Sequence, residues 1–233
     1  MKKIILSLMV FCSALTFWSC SEDSQDPSKV TYYITYTMNG DEVMTVPVGG
    51  TFDDPGVVAM EGETDVTANV KIDSNVDTNK VGVYTVTYSA TNVDGFDSSI
   101  SRTVAVYDPA ITEDMSGTYT VDPAQSNRDA NGSVSNFANS FTVTLTALAP
   151  GVYEVSDFLA GWYDQGSGYG STYAAIGYCT LNGDNTITML SSSVAGWGDS
   201  LTSLTNASYD PATSTVTWDA DYAGMLFHVV MNK

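Results

Sequence analysis

The sequence predicts an all-β chain: a small antiparallel sandwich, then an antiparallel β-barrel or curled sandwich of about eight strands. Three observations carry this. Runs rich in Val, Ile, Thr and Tyr alternate with period two, as in Tyr84, Val86, Tyr88 and Ala90 against Thr85, Thr87 and Ser89. Turn signals recur at short spacing: Asn39-Gly40-Asp41, Asn92-Val93-Asp94-Gly95, Pro150-Gly151 and Asn182-Gly183-Asp184. No helical periodicity follows residue 20.

In chain order, Lys2 and Lys3 precede an apolar run over 4–18 that ends at Ser19-Cys20. The run is shorter than the roughly 20 residues of a bilayer-spanning helix. A basic start, a short apolar centre and a small residue before the cut predict a secretory leader over residues 1–19. Residues 20–29 form an acidic, proline-containing tether. Residues 30–108 hold strands at 30–38, 43–48, 83–90 and 100–107, with Gly49-Gly50 and Asp53-Asp54-Pro55-Gly56 as punctuation. Residues 109–115 form a short linker.

The remainder, 116–233, opens on Ser116-Gly117-Thr118-Tyr119. Strands follow at 116–121, 141–146, 152–156, 173–181, 186–190, 203–209, 215–218 and 225–231, with the polar stretch 127–136 expected as a loop and 219–224 as a turn. Sequential hairpins of this number favour a curled or closed sheet, because closure removes exposed edges.

Charge narrows the function classes. Twenty-seven acidic residues against eight basic ones give a formal charge of −19, and loss of the leader removes two of the cations. Such a surface repels nucleic acid and anionic headgroups. Of three cysteines, Cys12 lies in the leader and Cys20 at its end, so Cys179 has no partner for a mature disulfide.

Residues 46–106 resemble the bacterial Ig-like domain of Bacteroidetes surface lipoproteins. The resemblance rests on Val48-Gly49-Gly50-Thr51-Phe52, Asp54-Pro55-Gly56-Val57, Asp65-Val66-Thr67, Lys80 to Tyr88, the Asp94-Gly95 turn and Arg102 to Val106. It implies an Ig-like β-sandwich acting as spacer or adhesive module, and no activity. The Ser19-Cys20 junction resembles a lipoprotein signal. That implies acylation of Cys20, with stable anchoring at about 0.8 kcal/mol per buried CH₂. The run Ser21 to Asp26 resembles the export signal that sends such lipoproteins to the outer face of the outer membrane. The opening at Ser116 and the segment Tyr209-Asp210-Pro211 to Trp218 resemble C-terminal domains of lipoproteins that accompany starch-utilisation-type glycan uptake machinery.

The stretch with most functional character is 157–178. Trp162, Tyr163, Tyr169, Tyr173 and Tyr178 are interleaved with glycines, and Asp164 and Gln165 add polar contacts. Flat rings beside carboxylates suit sugars, whose CH faces stack and whose hydroxyls hydrogen-bond. A second loop carries Trp197 and Asp199. The expected ligand-binding set is Trp162, Tyr163, Asp164, Tyr169, Trp197 and Asp199, with both tryptophans framing one pocket if the loops share a barrel end. The alternative is that the rings plug the barrel mouth and the protein is a spacer contacting envelope proteins.

Catalysis finds no signature. His228 is the single histidine, and no nucleophile elbow, metalloprotease or phosphate-loop motif is present. Asp157 paired with Asp164 or Asp199 is the conceivable glycosidase arrangement. No enzyme, cofactor or metal is expected. Asp53, Asp54, Asp94 and Asp97 are oxygen donors near turns, better read as solvated acidic surface than as a calcium site.

Overall fold

The computed structural model describes residues 30–233; the leader, Cys20 and the tether lie outside the described residues. Seven strands form the Ig-like unit: β1 (Ile34–Met38), β2 (Val43–Pro47), β3 (Val57–Glu61), β4 (Thr64–Asp65), β5 (Lys71–Ser74), β6 (Gly82–Thr91) and β7 (Asp97–Tyr107). They make two sheets, ordered β1-β3-β4 and β2-β7-β6-β5. The long β6–β7 hairpin supplies the alternation that the sequence showed. Val86 and Tyr88 point inward and meet Val46, Val57 and Val104.

Here the chain departs from a simple hairpin at Asn39-Gly40. β1 pairs with β3, whereas β2 crosses to the other sheet and runs parallel to β7. Arg102, fully buried, sits where the two sheets meet at this crossing. Its guanidinium donates to the carbonyls of Asn39 (2.5 Å) and Gly56 (3.3 Å) and lies 3.4 Å from the Asp54 carboxylate. Asp54 in turn accepts from the Tyr88 hydroxyl and the Gly56 N–H. Burial, then that carboxylate, pushes the Tyr88 phenol up to about 12. An unpaired guanidinium in this enclosed position would be costly, so its pairing with the partly exposed Asp54 fixes the turn to the core.

The C-terminal part contains β8 (Gly117–Val121), β9 (Asn127–Ala130), β10 (Ser133–Asn136), β11 (Thr142–Ala149), β12 (Val152–Val155), β13 (Ile176–Leu181), β14 (Ile187–Ser193), β15 (Ser203–Asp210), β16 (Thr215–Tyr222) and β17 (Met225–Asn232). All belong to one antiparallel sheet. β8 lies between β11 and β17, so the sheet curls round from first strand to last. β14 and β15 meet through the single bridge Thr186–Ser208, which leaves a half-barrel. The segment 127–136 is a hairpin rather than a loop. Asn131 and Gly132, at φ 54° and 86°, make its two-residue turn, and β9 pairs with β17. β16 likewise continues through Tyr222, so the turn after it is short.

Inward alternation fills the half-barrel: Tyr119, Val143, Leu145, Tyr153, Trp218, Phe227 and Val229 are all buried. The Trp218 indole N–H donates to the Phe158 carbonyl at 2.9 Å, satisfying its one polar atom. Cys179 is buried in this core, and burial pushes its thiol up to about 12. Ala105, Ala149 and Val152 are buried together where the Ig-like unit meets the half-barrel, with Val83, Tyr107 and Leu148 packed against them.

Removing the Arg102 guanidinium leaves Asp54 and two carbonyls without their buried donor. Arg102→Ala is expected to cost about 3–5 kcal/mol, read as a lower denaturation midpoint. A change under 1 kcal/mol would show that water replaces the pairing.

Candidate functional site

The connection between β12 and β13 is built around one side chain. Asp157 is 2% exposed and accepts three backbone N–H bonds, from Leu159 and Ala175 to Oδ1 and from Gly161 to Oδ2, each at 2.8 Å. These bonds tie both ends of the 157–175 loop to one carboxyl. Between them Ala160 and Gly161 take left-handed backbone, φ 54° and 82°. A Cβ on Gly161 would lie 2.5 Å from the Phe141 Cβ, so only glycine fits there. Three of the roughly four lone-pair sites of the Asp157 carboxylate are thus taken, and the group is closed off from solvent, so its carboxyl serves the loop and not a glycosidase pairing with Asp164 or Asp199. Burial raises it to about 6, against the pull of the three N–H groups.

After Gly161 the chain forms a π-helical turn, Trp162–Gly166, and then a single 3-10 turn, Ser171–Tyr173. Isolated π turns are uncommon and re-aim side chains. This one sends Trp162 and Tyr163 in different directions. Trp162 is half-buried. It meets Phe137 edge-on at 4.9 Å and Phe227 at 5.9 Å, and the Arg128 guanidinium lies 4.7 Å above its ring. Tyr163 is the hub. Trp197 packs edge-on against it at 4.9 Å, Tyr169 lies nearly parallel to it at 6.3 Å, and Tyr222 and Phe227 close the inner side.

Trp197 also contacts Tyr173 (4.8 Å) and Tyr222 (5.9 Å). A Cβ on Gly196 would lie 2.6 Å from the Tyr173 ring, which explains the glycine before Trp197. The outermost rings remain accessible, Tyr169 at 56% and Trp197 at 43%. Asp199, exposed, accepts from the Tyr222 hydroxyl at 2.8 Å. Burial, then this carboxylate, holds the Tyr222 phenol above its usual range. Asp164 has one buried oxygen, Oδ1, without a hydrogen-bond partner, and burial raises its carboxyl.

The two loops thus share one end of the half-barrel. Trp162 and Trp197 do not face each other; they are linked through Tyr163 and Phe227, with Trp162 on the core side. Tyr178 lies apart, on β13 opposite Ser191. Tyr222 and Phe227 belong to the cluster although they come from β16 and β17. Their inward alternation with Trp218, Ala220 and Val229 is the signal that places them there.

His228 lies elsewhere. It sits on the outer face between buried Phe227 and Val229, with Nδ1 2.5 Å from Asp219 Oδ1; Asn206 donates to the other Asp219 oxygen. Among the described residues no cluster of three or more His, Cys, Asp or Glu side chains could hold a metal. No described helix is long and apolar enough to cross a membrane.

Losing the Asp157 carboxyl leaves three buried N–H groups without an acceptor. Asp157→Ala is expected to cost about 3 kcal/mol or more; Asp157→Asn, which keeps one acceptor oxygen, less. Its carboxyl titrates higher in the fold than in the unfolded chain (3.8), so the fold binds more protons between those values. Ionisation therefore removes stability as pH rises from about 4 to about 6. Denaturation midpoints at pH 5 and 7 check this: the loss at pH 7 should be larger for wild type than for Asp157→Asn. Equal losses would mean that the carboxyl is not perturbed.

With the geometry in place, comparison with known proteins gives the family. A bacterial surface protein Ig-like domain model matches residues 31–106, and a model described as "-like, C-terminal domain" matches residues 108–233, over half the chain. The lipoprotein BT2262 from Bacteroides thetaiotaomicron is 42% identical, over 86% of this chain and all of its own, with a TM-score of 0.49. Two structures of Clostridium perfringens ZmpB, one of CBM51-2 with GlcNAc and INT domains and one of the M60 catalytic domain with both CBM51 domains, are 24% identical over 53% and 52% of this chain. They cover 29% and 14% of those chains, and at TM-scores of 0.28 they decide nothing about ligand. No curated protein matches. Sequence identity and the two domain models agree, and the chain belongs to the family of this Bacteroides lipoprotein, with a surface Ig-like domain ahead of the family's C-terminal domain.

Proposed function

We propose that the protein is a lipid-anchored surface lipoprotein that holds neutral poly- or oligosaccharide at the aromatic end of its half-barrel. The observation that carries this reading is the linked ring cluster whose outer members, Tyr169 and Trp197, stay exposed while Tyr163, Tyr173 and Tyr222 brace them. Solvent-facing rings on a braced scaffold offer CH-stacking area with little ordering entropy left to lose. Asp199 and Asp164 supply acceptors beside them for sugar hydroxyls. Their charge, with −19 overall, favours neutral glycans over uronic or sulfated ones.

Cys20 is the proposed acylation site, residues 20–29 the tether, and the outer membrane the location, with display to the exterior. Service to a starch-utilisation-type uptake system is part of the same reading. It rests on the kinship with a Bacteroides lipoprotein and on the surface Ig-like domain. Neither matched domain is described as an enzyme.

A second reading is favoured by Trp162. Its ring is sandwiched between Phe137, Phe227 and Arg128, so that part of the cluster serves to close the barrel mouth. On that reading the domain is a rigid contact module for envelope proteins.

Glycan arrays followed by titration separate the two. Trp197→Ala is expected to weaken binding of a neutral glycan about tenfold or more, equivalent to about 1.4 kcal/mol, read at a temperature where the variant is fully folded, because its contacts with Tyr163, Tyr173 and Tyr222 are lost as well. Trp162→Ala should lower stability first. An absence of binding to any neutral glycan, with a stoichiometric membrane protein co-purifying regardless of added sugar, would turn the assignment to the second reading.

A further inference from the structure

The other end of the molecule exposes a second apolar surface. Val93, at the tip of the β6–β7 hairpin, is 83% exposed, and Phe96 is 48% exposed. Tyr32 and Tyr33, just before β1, are also exposed, and the Tyr33 and Phe96 rings lie 5.5 Å apart. The patch is held in place by Asn92, itself buried. Its Nδ2 donates to the Tyr32 carbonyl at 2.8 Å, and its Oδ1 accepts from the N–H groups of Phe96 (2.8 Å) and Asp94 (3.1 Å). Glu61 accepts from the Val93 N–H. The Asn92 amide is thus spent inside the turn, and the rings of Tyr33 and Phe96 and the Val93 side chain stay exposed.

We infer that this tip, Tyr32, Tyr33, Val93 and Phe96, rests in the interfacial zone of the bilayer that holds the protein. The occupant follows from where the patch lies on the chain. Val30 is ten residues from Cys20. Ten residues span at most about 35 Å fully extended, and roughly 15–20 Å as a flexible coil. A chain anchored at Cys20 therefore keeps this tip within a short distance of headgroups. Tyrosines with wet hydroxyls and apolar rings suit that depth. Glu61 and Asp94 flank the tip, so neutral headgroups are taken in preference to anionic ones. The inference rests on the anchor reading of Cys20.

The test uses the chain from residue 21, so that Cys20 is absent, with an N-terminal histidine tag in place of acylation. It is captured on phosphatidylcholine vesicles carrying nickel-chelating lipid. A fluorophore is placed at Val93→Cys or, at the aromatic end, Ser200→Cys; buried Cys179 does not compete for label. Lipid-borne quencher is expected to act roughly fivefold more on the Val93 label than on the Ser200 label. Tyr33→Ser with Phe96→Ser should remove most of that difference, and adding phosphatidylglycerol should reduce it. Equal quenching at the two sites, or a difference that survives the double substitution, overturns the inference; the latter would mean proximity without contact. Flotation of the full chain from expressing cells tests acylation separately. A chain that does not float removes the Cys20 anchor, whatever the vesicles show.

Discussion

The aromatic end of the half-barrel depends on one carboxyl group. Without an acceptor at Asp157, the loop between β12 and β13 would have to bury three N–H groups unpaired, a cost comparable with a large part of a small domain's net stability. With it, the loop can hold two successive left-handed residues and a π-helical turn, both unfavourable in isolation. Those backbone features are what set Trp162 against Phe137 and place Tyr163 at the centre of the ring cluster. The ring cluster is therefore a consequence of a buried hydrogen-bond acceptor. Aromatic contacts of about 0.5–1.5 kcal/mol each add to it afterwards.

The same arrangement recurs in the Ig-like unit. Buried Arg102 and partly exposed Asp54 form a charged pair whose partners are backbone carbonyls, a backbone N–H and a phenol. In both units a polar group at a loop's base sets the path of irregular chain, and the surrounding strands supply the bulk of the apolar burial. Arg128 repeats the theme at the barrel mouth. It sits on β9 directly opposite Phe227, and its guanidinium lies over the Trp162 ring.

Legibility in the sequence followed the range of the forces involved. Alternation is local, so Phe141, Val143 and Leu145 could be assigned to one face, and all three are buried. Turn chemistry is local too, and Asn182-Gly183-Asp184 does join two paired strands. What the Asn39-Gly40 turn does was not legible. A hairpin and a sheet switch use similar turn residues, and the partner that decides, Arg102, lies some sixty positions on. The polar run 127–136 concealed an Asn-Gly hairpin because its strands are half-covered and carry no apolar stripe. The aromatic and glycine content of 157–178 and of the Trp197 loop is what gathers into one ring cluster at a single end of the barrel. Tyr222 and Phe227 were missing from the expected set because they join it through strand register. The structural part that Asp157 plays is not legible either, since nothing in the residues around an aspartate announces three N–H groups converging on it.

Strand direction gives the two exposed apolar surfaces their meaning. β6 begins beside the contact with the half-barrel, where Val83 packs against Ala149 and Val152, and ends at the Val93 tip. β12 begins at that same contact with Val152 and ends at the loop built on Asp157. The hairpin tip and the aromatic cluster therefore lie at opposite ends of the chain's two packed units, with the buried contact between them. A flexible joint would let the two surfaces approach each other. The apolar packing of Ala105, Ala149 and Val152 resists this, because opening it would return that surface to water. A molecule held at its tyrosine end would then present its tryptophan end outward by rigidity alone, without any contact directing it there.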